Sequence, residues 1–386
     1  MSKKVKLQEY IQIQNGYAFK SNLFQNFGIP VVRITNVENG KLNLDKVVYY
    51  PEDKKLDRFI IKKNDILLSL TGDDKTLKVC MNDSDEKIYL NQRVAILRSN
   101  ESLIQKYLYY SIKKYSSLIL EKAKGIAQKN ISVDDINSLE VPLPSIEKQK
   151  QIAKTLDKAN ELIELRKESI TKLDALAKSI FIDMFGDPVE NPMNWELNKL
   201  SEFGNCKNGL NFDSKRNECN IKCLGVGDFK NLTTIRNIEL LQTISIEKKP
   251  AKEYLLQNGD IIFVRSNGSK DLVGRCIVIY PNETEVTFSG FCIRFRLSTD
   301  LILIPYLLNV LKSKSMRQNM LGRGANIQNL NQQILLGLNI PFPPMELQNK
   351  FAKIIEKIEE QKSLYEKELE KLEENFQALL QKSFQE

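Results

Sequence analysis

Residues that could do chemistry are scattered along this 386-residue chain, and none is grouped as a reaction needs. Histidine is absent altogether. That removes imidazole acid–base catalysis, Ser-His and Cys-His nucleophile pairs, and His-ligated metals. Cys80, Cys206, Cys219, Cys223, Cys276 and Cys292 form no Cys-x-x-Cys pair. Only Cys219 and Cys223 lie close together, so reduced thiols and no metal site are expected. Gly225-Val-Gly227 lacks the third glycine and the following helix of a dinucleotide loop, and no Gly-x4-Gly-Lys-Ser/Thr phosphate loop occurs. Asp73-Asp74 and Glu283-Thr-Glu285 have no matching lysine or second carboxylate cluster and read as turn acids.

One further segment, Asn191-Pro-Met-Asn-Trp195, is superficially similar to the Asn-Pro-Pro-aromatic signature of amino-methyltransferases. It lacks the second proline, its aromatic is displaced, and it sits in the linker Phe185-Gly-Asp-Pro-Val-Glu-Asn-Pro. The chain therefore reads as one without catalytic residues of its own. What remains to be explained is the framework.

That framework is duplicated with an offset of 199 residues. Gly125 pairs with Gly324, Asn130 with Asn329, Pro142 and Pro144 with Pro341 and Pro343, and Glu147 and Gln149 with Glu346 and Gln348. Ala153-Lys154 matches Ala352-Lys353, Lys172-Leu173 matches Lys371-Leu372, and Phe185 matches Phe384, all without a gap. Nearer the start of each copy, Leu7-Gln-Glu-Tyr10 resembles Leu200-Ser-Glu-Phe203, and Asn15-Gly-Tyr-Ala-Phe19 resembles Asn208-Gly-Leu-Asn-Phe212, at offset 193. The offset drifts in front and locks behind, so variation falls in the front loops. Variable loops on a fixed scaffold suit recognition surfaces.

Each copy opens with strand-like runs: Val31-Val-Arg-Ile and Asp65-Ile-Leu-Leu-Ser-Leu, then Asp260-Ile-Ile-Phe-Val and Arg275-Cys-Ile-Val-Ile. Asn39-Gly40, Asn258-Gly259 and Asn267-Gly268 punctuate them as turns. Helical stretches follow over 103–120 and 301–321, and then a short extended tail ends in Pro-x-Pro.

After each Pro-x-Pro comes a long amphipathic helix. Its heptad seam in the first copy is Ile152, Leu156, Ala159, Ile163, Arg166, Ile170, Leu173, Ala177, Ile180 and Met184. In the second copy it is Phe351, Ile355, Ile358, Lys362, Tyr365, Leu369, Leu372, Phe376 and Leu379. About 38 residues give a rod of roughly 57 Å, which is weak alone and needs a partner face. Antiparallel pairing with the other copy puts Ile152 near Leu379, Arg166 near Tyr365 and Lys362 near Ile170. A central polar layer of this kind can fix register.

The expected organisation is α+β: globular parts over residues 1–144 and 188–344, and long helices over 145–187 and 345–386. Two globular parts of mixed sheet plus helices are related by a pseudo-two-fold and separated by an antiparallel coiled coil. Apolar residues make up 42% and charged residues 27%, as in a soluble globular chain, and no stretch has the roughly 18 apolar residues of a membrane helix. A cytoplasmic protein with no membrane partner is expected. The net charge of +8 is unevenly spread. Residues 1–144 carry 23 Lys+Arg against 17 Asp+Glu, and residues 188–344 carry 19 against 14. The first long helix balances at 8 against 8, and the second carries 7 against 10. The excess positive charge thus lies on the globular parts, which suits a polyanion such as DNA.

Several segments resemble one family closely. They are the duplicated Pro142-Leu-Pro-Ser-Ile-Glu-Lys-Gln entrance, the exit Phe185-Gly-Asp-Pro-x2-Asn-Pro-x2-Trp195, Gly259-Asp-Ile-Ile-Phe-Val-Arg-Ser266, and Gly125-Ile-Ala-Gln-Lys-Asn-Ile131. Together they resemble a type I restriction–modification specificity subunit over the whole chain. The resemblance implies two target-recognition domains, each reading one half of a bipartite, asymmetric site in double-stranded DNA. It implies helices that set the spacer and dock two methyltransferase subunits, which carry S-adenosylmethionine and methylate adenine. It also implies restriction/translocase subunits driven by ATP, with magnesium, and no cofactor in this chain. A stand-alone DNA methyltransferase or nuclease, and a purely protein-binding scaffold, are the competing readings.

On that resemblance, base and phosphate contacts are expected from three places. The first is the loop after the Asp-Ile strand: Ser69, Thr71 and Lys75, against Arg265, Ser266, Asn267 and Lys270. The second is Asn91, Gln92 and Arg93. The third is the Gly loop: Lys124, Gln128, Lys129 and Asn130, against Arg323, Asn326, Gln328 and Asn329.

Overall fold

The computed structural model describes residues 3–72, 76–123, 129–212, 219–229, 234–268, 271–321 and 329–385. The chain divides into two compact units, residues 1–168 with 367–386, and residues 169–366. Each long helix, Ile146–Phe185 and Met345–Ser383, gives part of its length to both units. Among the described residues, no helix is long and apolar enough to cross a membrane.

In the first unit a four-stranded antiparallel sheet runs in the order Ile11–Asn15, Val94–Ser99, Ile66–Ser69, Val79–Met81. Its two central strands are apolar over residues 94–97 and 66–68, where both faces are covered. Ile66 and Leu68 join one core with Ala95 and Leu97, while Leu67 joins another with Val94 and Ile96. A second, mixed sheet covers the latter face. There Ile29–Val32 lies parallel to Ile88–Leu90 and antiparallel to Val48–Tyr50.

The second unit repeats the arrangement. A five-stranded sheet has the order Gly204–Asn208, Cys292–Leu297, Asp260–Val264, Cys276–Ile279, Thr234–Ile235. Ile261 and Phe263 enter one core, and Ile262 and Val264 the other. The mixed partner sheet pairs Cys219–Leu224 in parallel with Val286–Phe288. The helical stretches expected after the sheets each break once. Gln105–Lys114 is followed by Ser116–Lys122, and Ile304–Lys312 by Lys314–Leu321.

The recurring Pro-x-Pro-x2-Glu-x-Gln phrase has a physical cause. The extended tail Glu140–Pro142 pairs with Lys4–Lys6, and Asn339–Phe342 with Glu196–Lys199. Gln149, at the helix start, is fully buried. Its Oε1 accepts the Ile104 N–H at 2.8 Å, and its amide donates to the carbonyls of Pro144 at 3.0 Å and Ser102 at 3.2 Å. Gln348 does the same with Leu303, Pro343 and Leu301, at 2.9, 3.0 and 3.4 Å. The Tyr107 and Tyr306 hydroxyls each donate to the matching proline carbonyl, Pro142 or Pro341, at 2.8 Å. Glu147 and Glu346 are exposed in the first helical turn, where a carboxylate complements the helix dipole.

Every seam residue expected from the heptad pattern is buried or half-buried. In the second unit the helix segments run antiparallel. Asp174 meets Lys362 at 2.7 Å, and the Phe181 and Phe185 rings meet Phe351 with centroids 5.6 and 5.4 Å apart. The Lys362 ammonium thus binds Asp174, one turn beyond the expected Ile170. In the first unit Arg166 pairs with Glu368 at 2.8 Å, and Ile152 and Leu379 join one core. Buried Phe181, Phe185, Leu380 and Phe384 lie outside the heptad stripe. Phe181 and Phe185 meet Tyr306, and Phe384 meets Tyr107, so each helix also packs on the globular part of the other copy and its apolar face is wider than a two-helix seam requires.

Candidate functional site

The residues expected to contact a ligand stand on one hydrogen-bonded framework in each unit. Two glycines let its strands approach closely. A Cβ on Gly16 would lie 2.3 Å from the Asn91 carbonyl oxygen, and one on Gly209 would lie 2.1 Å from that of Ser289. This accounts for the shared Asn-Gly pair. Around it, Tyr17 N–H donates to Leu90 and Gln92 N–H to Tyr17, as Leu210 donates to Phe288 and Gly290 to Leu210. Asn91 N–H donates to Val32, as Ser289 N–H does to Leu224. The turn is closed by Val94 N–H on Asn91 and by Cys292 N–H on Ser289.

The same scheme unites the loop after the Asp-Ile strand with the Gly loop. Leu70 N–H donates to the Arg93 carbonyl at 2.9 Å, and Ile131 N–H donates to the Leu70 carbonyl at 2.9 Å. Arg265 N–H donates to Phe291, and Leu330 N–H to Arg265, both at 2.8 Å. Thr71–Gly72 pairs with Lys129–Asn130, and Ser266 bridges Asn329. Three segments far apart in sequence thus meet at one edge of each unit.

Exposure sorts the expected residues. Gln92, Arg93, Asn130 and Asn329 are exposed, and Arg265, Ser266 and Asn267 are half-buried. Ser69, Thr71 and Asn91, also expected from the sequence, are buried. The Ser69 hydroxyl donates to the Thr71 carbonyl at 2.5 Å, and Asn91 Oδ1 accepts the Arg93 N–H at 3.3 Å. These three shape the loops from beneath. Lys129 takes part through its backbone strand. Lys75, Lys124, Gln128, Lys270, Arg323, Asn326 and Gln328 lie outside the described residues.

In the second unit Ser266, Asn267 and Asn329 line an open groove of about 470 Å³ together with Val226, Gly268 and Phe291. Phe291 was not among the residues expected from sequence, since a lone phenylalanine there carries no signal of its own. Only its place on the framework marks it.

A bidentate ion pair braces each sheet behind the loops. Arg98 grips Asp65 at 2.6 and 2.5 Å, and Arg296 grips Asp260 at 2.7 and 2.6 Å. Both aspartates are buried, and each also accepts a backbone N–H, from Lys62 or Gln257, at 2.7 Å.

The segments that came nearest to reaction motifs have structural work. Asn191 brackets Trp195 with two hydrogen bonds, at 2.8 and 3.0 Å, and the Trp195 indole N–H donates to the Phe185 carbonyl at 3.2 Å. Gly225 N–H donates to Asp228 at 2.8 Å inside a short turn of helix. Glu285 pairs with Lys249 at 2.7 Å. Burial pushes the Cys80, Cys206 and Cys223 thiols up to about 12 and Cys276 up to about 11, so they stay protonated near neutrality. Among the described residues, no three His, Cys, Asp or Glu side chains form a metal-binding group. Asp73-Asp74 lies outside the described residues.

Two copies of one framework, each presenting Arg, Asn, Gln or Ser side chains at an open edge, define a duplicated recognition protein. The family model for the type I restriction–modification DNA specificity domain matches the chain twice, over residues 2–175 and 192–374. The chain belongs to that family. The type I restriction enzyme StySPI specificity subunit of Salmonella potsdam is 25% identical over 357 residues, spanning 87% of this chain and 76% of the relative. The MjaVIII specificity subunit of Methanocaldococcus jannaschii is 30% identical over 188 residues, 46% of this chain and 43% of the relative. The fold matches the crystal structure of the type I restriction–modification S subunit from M. genitalium. That match has a TM-score of 0.54 and 21% identity, covering 100% of this chain and 96% of the other.

Proposed function

We propose that this chain is the DNA-specificity subunit of a type I restriction–modification complex. The observation that carries the reading is the doubled framework, matched twice by the specificity-domain family, with different side chains on its two open edges. Residues 1–144 and 188–344 act as target-recognition domains. Each reads one half of a bipartite, asymmetric site in double-stranded DNA through base-edge hydrogen bonds, with Lys and Arg on the phosphates. The excess basic charge of these two segments favours that partner. The long helices over 145–187 and 345–386 set the spacer and dock two methyltransferase subunits.

The chain itself is non-catalytic and cytoplasmic. S-adenosylmethionine belongs to the methyltransferase subunits, and ATP and magnesium to the restriction/translocase subunits. The test is to mix the purified chain with its methyltransferase partner and map methylated adenines. The expected result is methylation at one split motif with the partner and none without it. Methyl transfer or cleavage by the chain alone would sink the reading in favour of a stand-alone enzyme. Absence of salt-dependent DNA affinity in the assembled complex would favour a protein scaffold.

A further inference from the structure

The turn Asn91-Gln92-Arg93-Val94 and the turn Ser289-Gly290-Phe291-Cys292 hold the same place in the two units. Each is closed by its fourth N–H on its first carbonyl, and each third residue accepts a backbone N–H from the neighbouring strand loop. The outward residue at this shared position is Arg93 in one unit and Phe291 in the other. Phe291 is 59% exposed, whereas the sheet residues on either side of its turn, Phe288 and Cys292, are buried. Its ring lies at a groove whose other side chains include Ser266, Asn267 and Asn329. A phenyl ring left in water beside Val226 and these polar side chains adds little to the fold, and burial against an apolar ligand group is favourable.

We infer that Arg93 and Phe291 are equivalent specificity-determining residues with opposite chemistry. Arg93 reads a guanine in one half-site, and Phe291 reads the 5-methyl group of a thymine in the other. This rests on the DNA-reading function proposed above. Guanidinium donors match the paired O6 and N7 acceptors of guanine in the major groove, where the thymine methyl is the apolar landmark. A phenyl ring has no donor or acceptor, so it selects for that methyl and leaves hydrogen-bond readout to Ser266, Asn267 and Asn329.

The experiment uses the full chain assembled with its methyltransferase subunits, with the methylated motif of the natural protein mapped first. Failure to find a split motif overturns the DNA-reading function, and this inference with it. Given a split motif, each of its thymines is replaced singly by deoxyuridine, and binding is measured for the natural protein and for Phe291→Ala. One thymine is expected to lose roughly fourfold on removal of its methyl, the value of one buried methyl group. Phe291→Ala should erase that difference, and Phe291→Leu should retain part of it. Arg93→Ala should relax one guanine of the other half-site by roughly tenfold or more. Thermal melting of each variant should match the natural protein, since both residues are exposed. The inference is overturned if no thymine shows a Phe291-dependent methyl effect. It is equally overturned if Phe291→Ala weakens thymine and deoxyuridine sites alike, which would mark a wedge between bases, or if both changes act on one half-site.

Discussion

The two globular parts carry different side chains on matching backbone hydrogen bonds. Behind the loops they share an arginine on a buried aspartate, a buried glutamine on three backbone groups and a tyrosine on a proline carbonyl. At the open edge the same backbone hydrogen bonds carry Arg93 in one copy and Phe291 in the other, and Leu70 in one and Arg265 in the other. The difference shows how a recognition protein can change what it reads without changing how it folds. Backbone groups must be satisfied whatever the side chains are, so a hydrogen-bonded turn holds its shape while its outward residue varies.

The equivalence of the two frameworks can be broken experimentally, and the deepest groups should give the largest effects. Asp65→Ala and Asp260→Ala each leave an arginine and a backbone N–H without their carboxylate, and each should cost about 3 kcal/mol in urea unfolding of the full chain. A large cost in one unit beside a negligible one in the other would show that the frameworks are equivalent in geometry only. Gln149→Ala and Gln348→Ala strand the Ile104 or Leu303 N–H, and about 2 kcal/mol should be lost for each. Amide hydrogen exchange at Ile104 and Leu303 reads that loss locally, and unchanged protection there would refute the clamp.

Smaller effects sharpen the comparison. Tyr107→Phe and Tyr306→Phe each remove one hydroxyl from a buried carbonyl, worth about 1 kcal/mol, and thermal melting should register nearly equal shifts. Lys362→Met is expected to change stability by less than about 1 kcal/mol, because its partner Asp174 has 47% of its side chain in water even with the pair formed. A large destabilisation there, measured in the same urea titration, would make this ion pair a structural pillar of its unit.

Much of this was legible in the sequence because the signals are periodic or duplicated. The heptad stripe located the long helices, and each of its positions is buried or half-buried. The apolar, β-branched runs marked strands, and Ile66–Ser69 and Asp260–Val264 are strands of the central sheets. The Pro-x-Pro-x2-Glu-x-Gln phrase marked the helix entrances. The wider apolar face that takes in Phe181 and Phe185 escaped the heptad pattern, since that pattern describes one contact and these helices make two.

The sequence by itself determined the duplication, the long helices, the family and the segments that form the open edges, because these follow from local periodicity and from residues repeated at fixed spacing. Only the tertiary structure decided which side chains of those segments face outward. Ser69, Thr71 and Asn91 look like ligand-binding residues by type, yet they are buried beneath the loops. Phe291 looks like core by type, yet it stands in solvent. Residue type sets what a side chain can do, but long-range backbone pairing sets where it points, and that pairing joins residues about 60 positions apart.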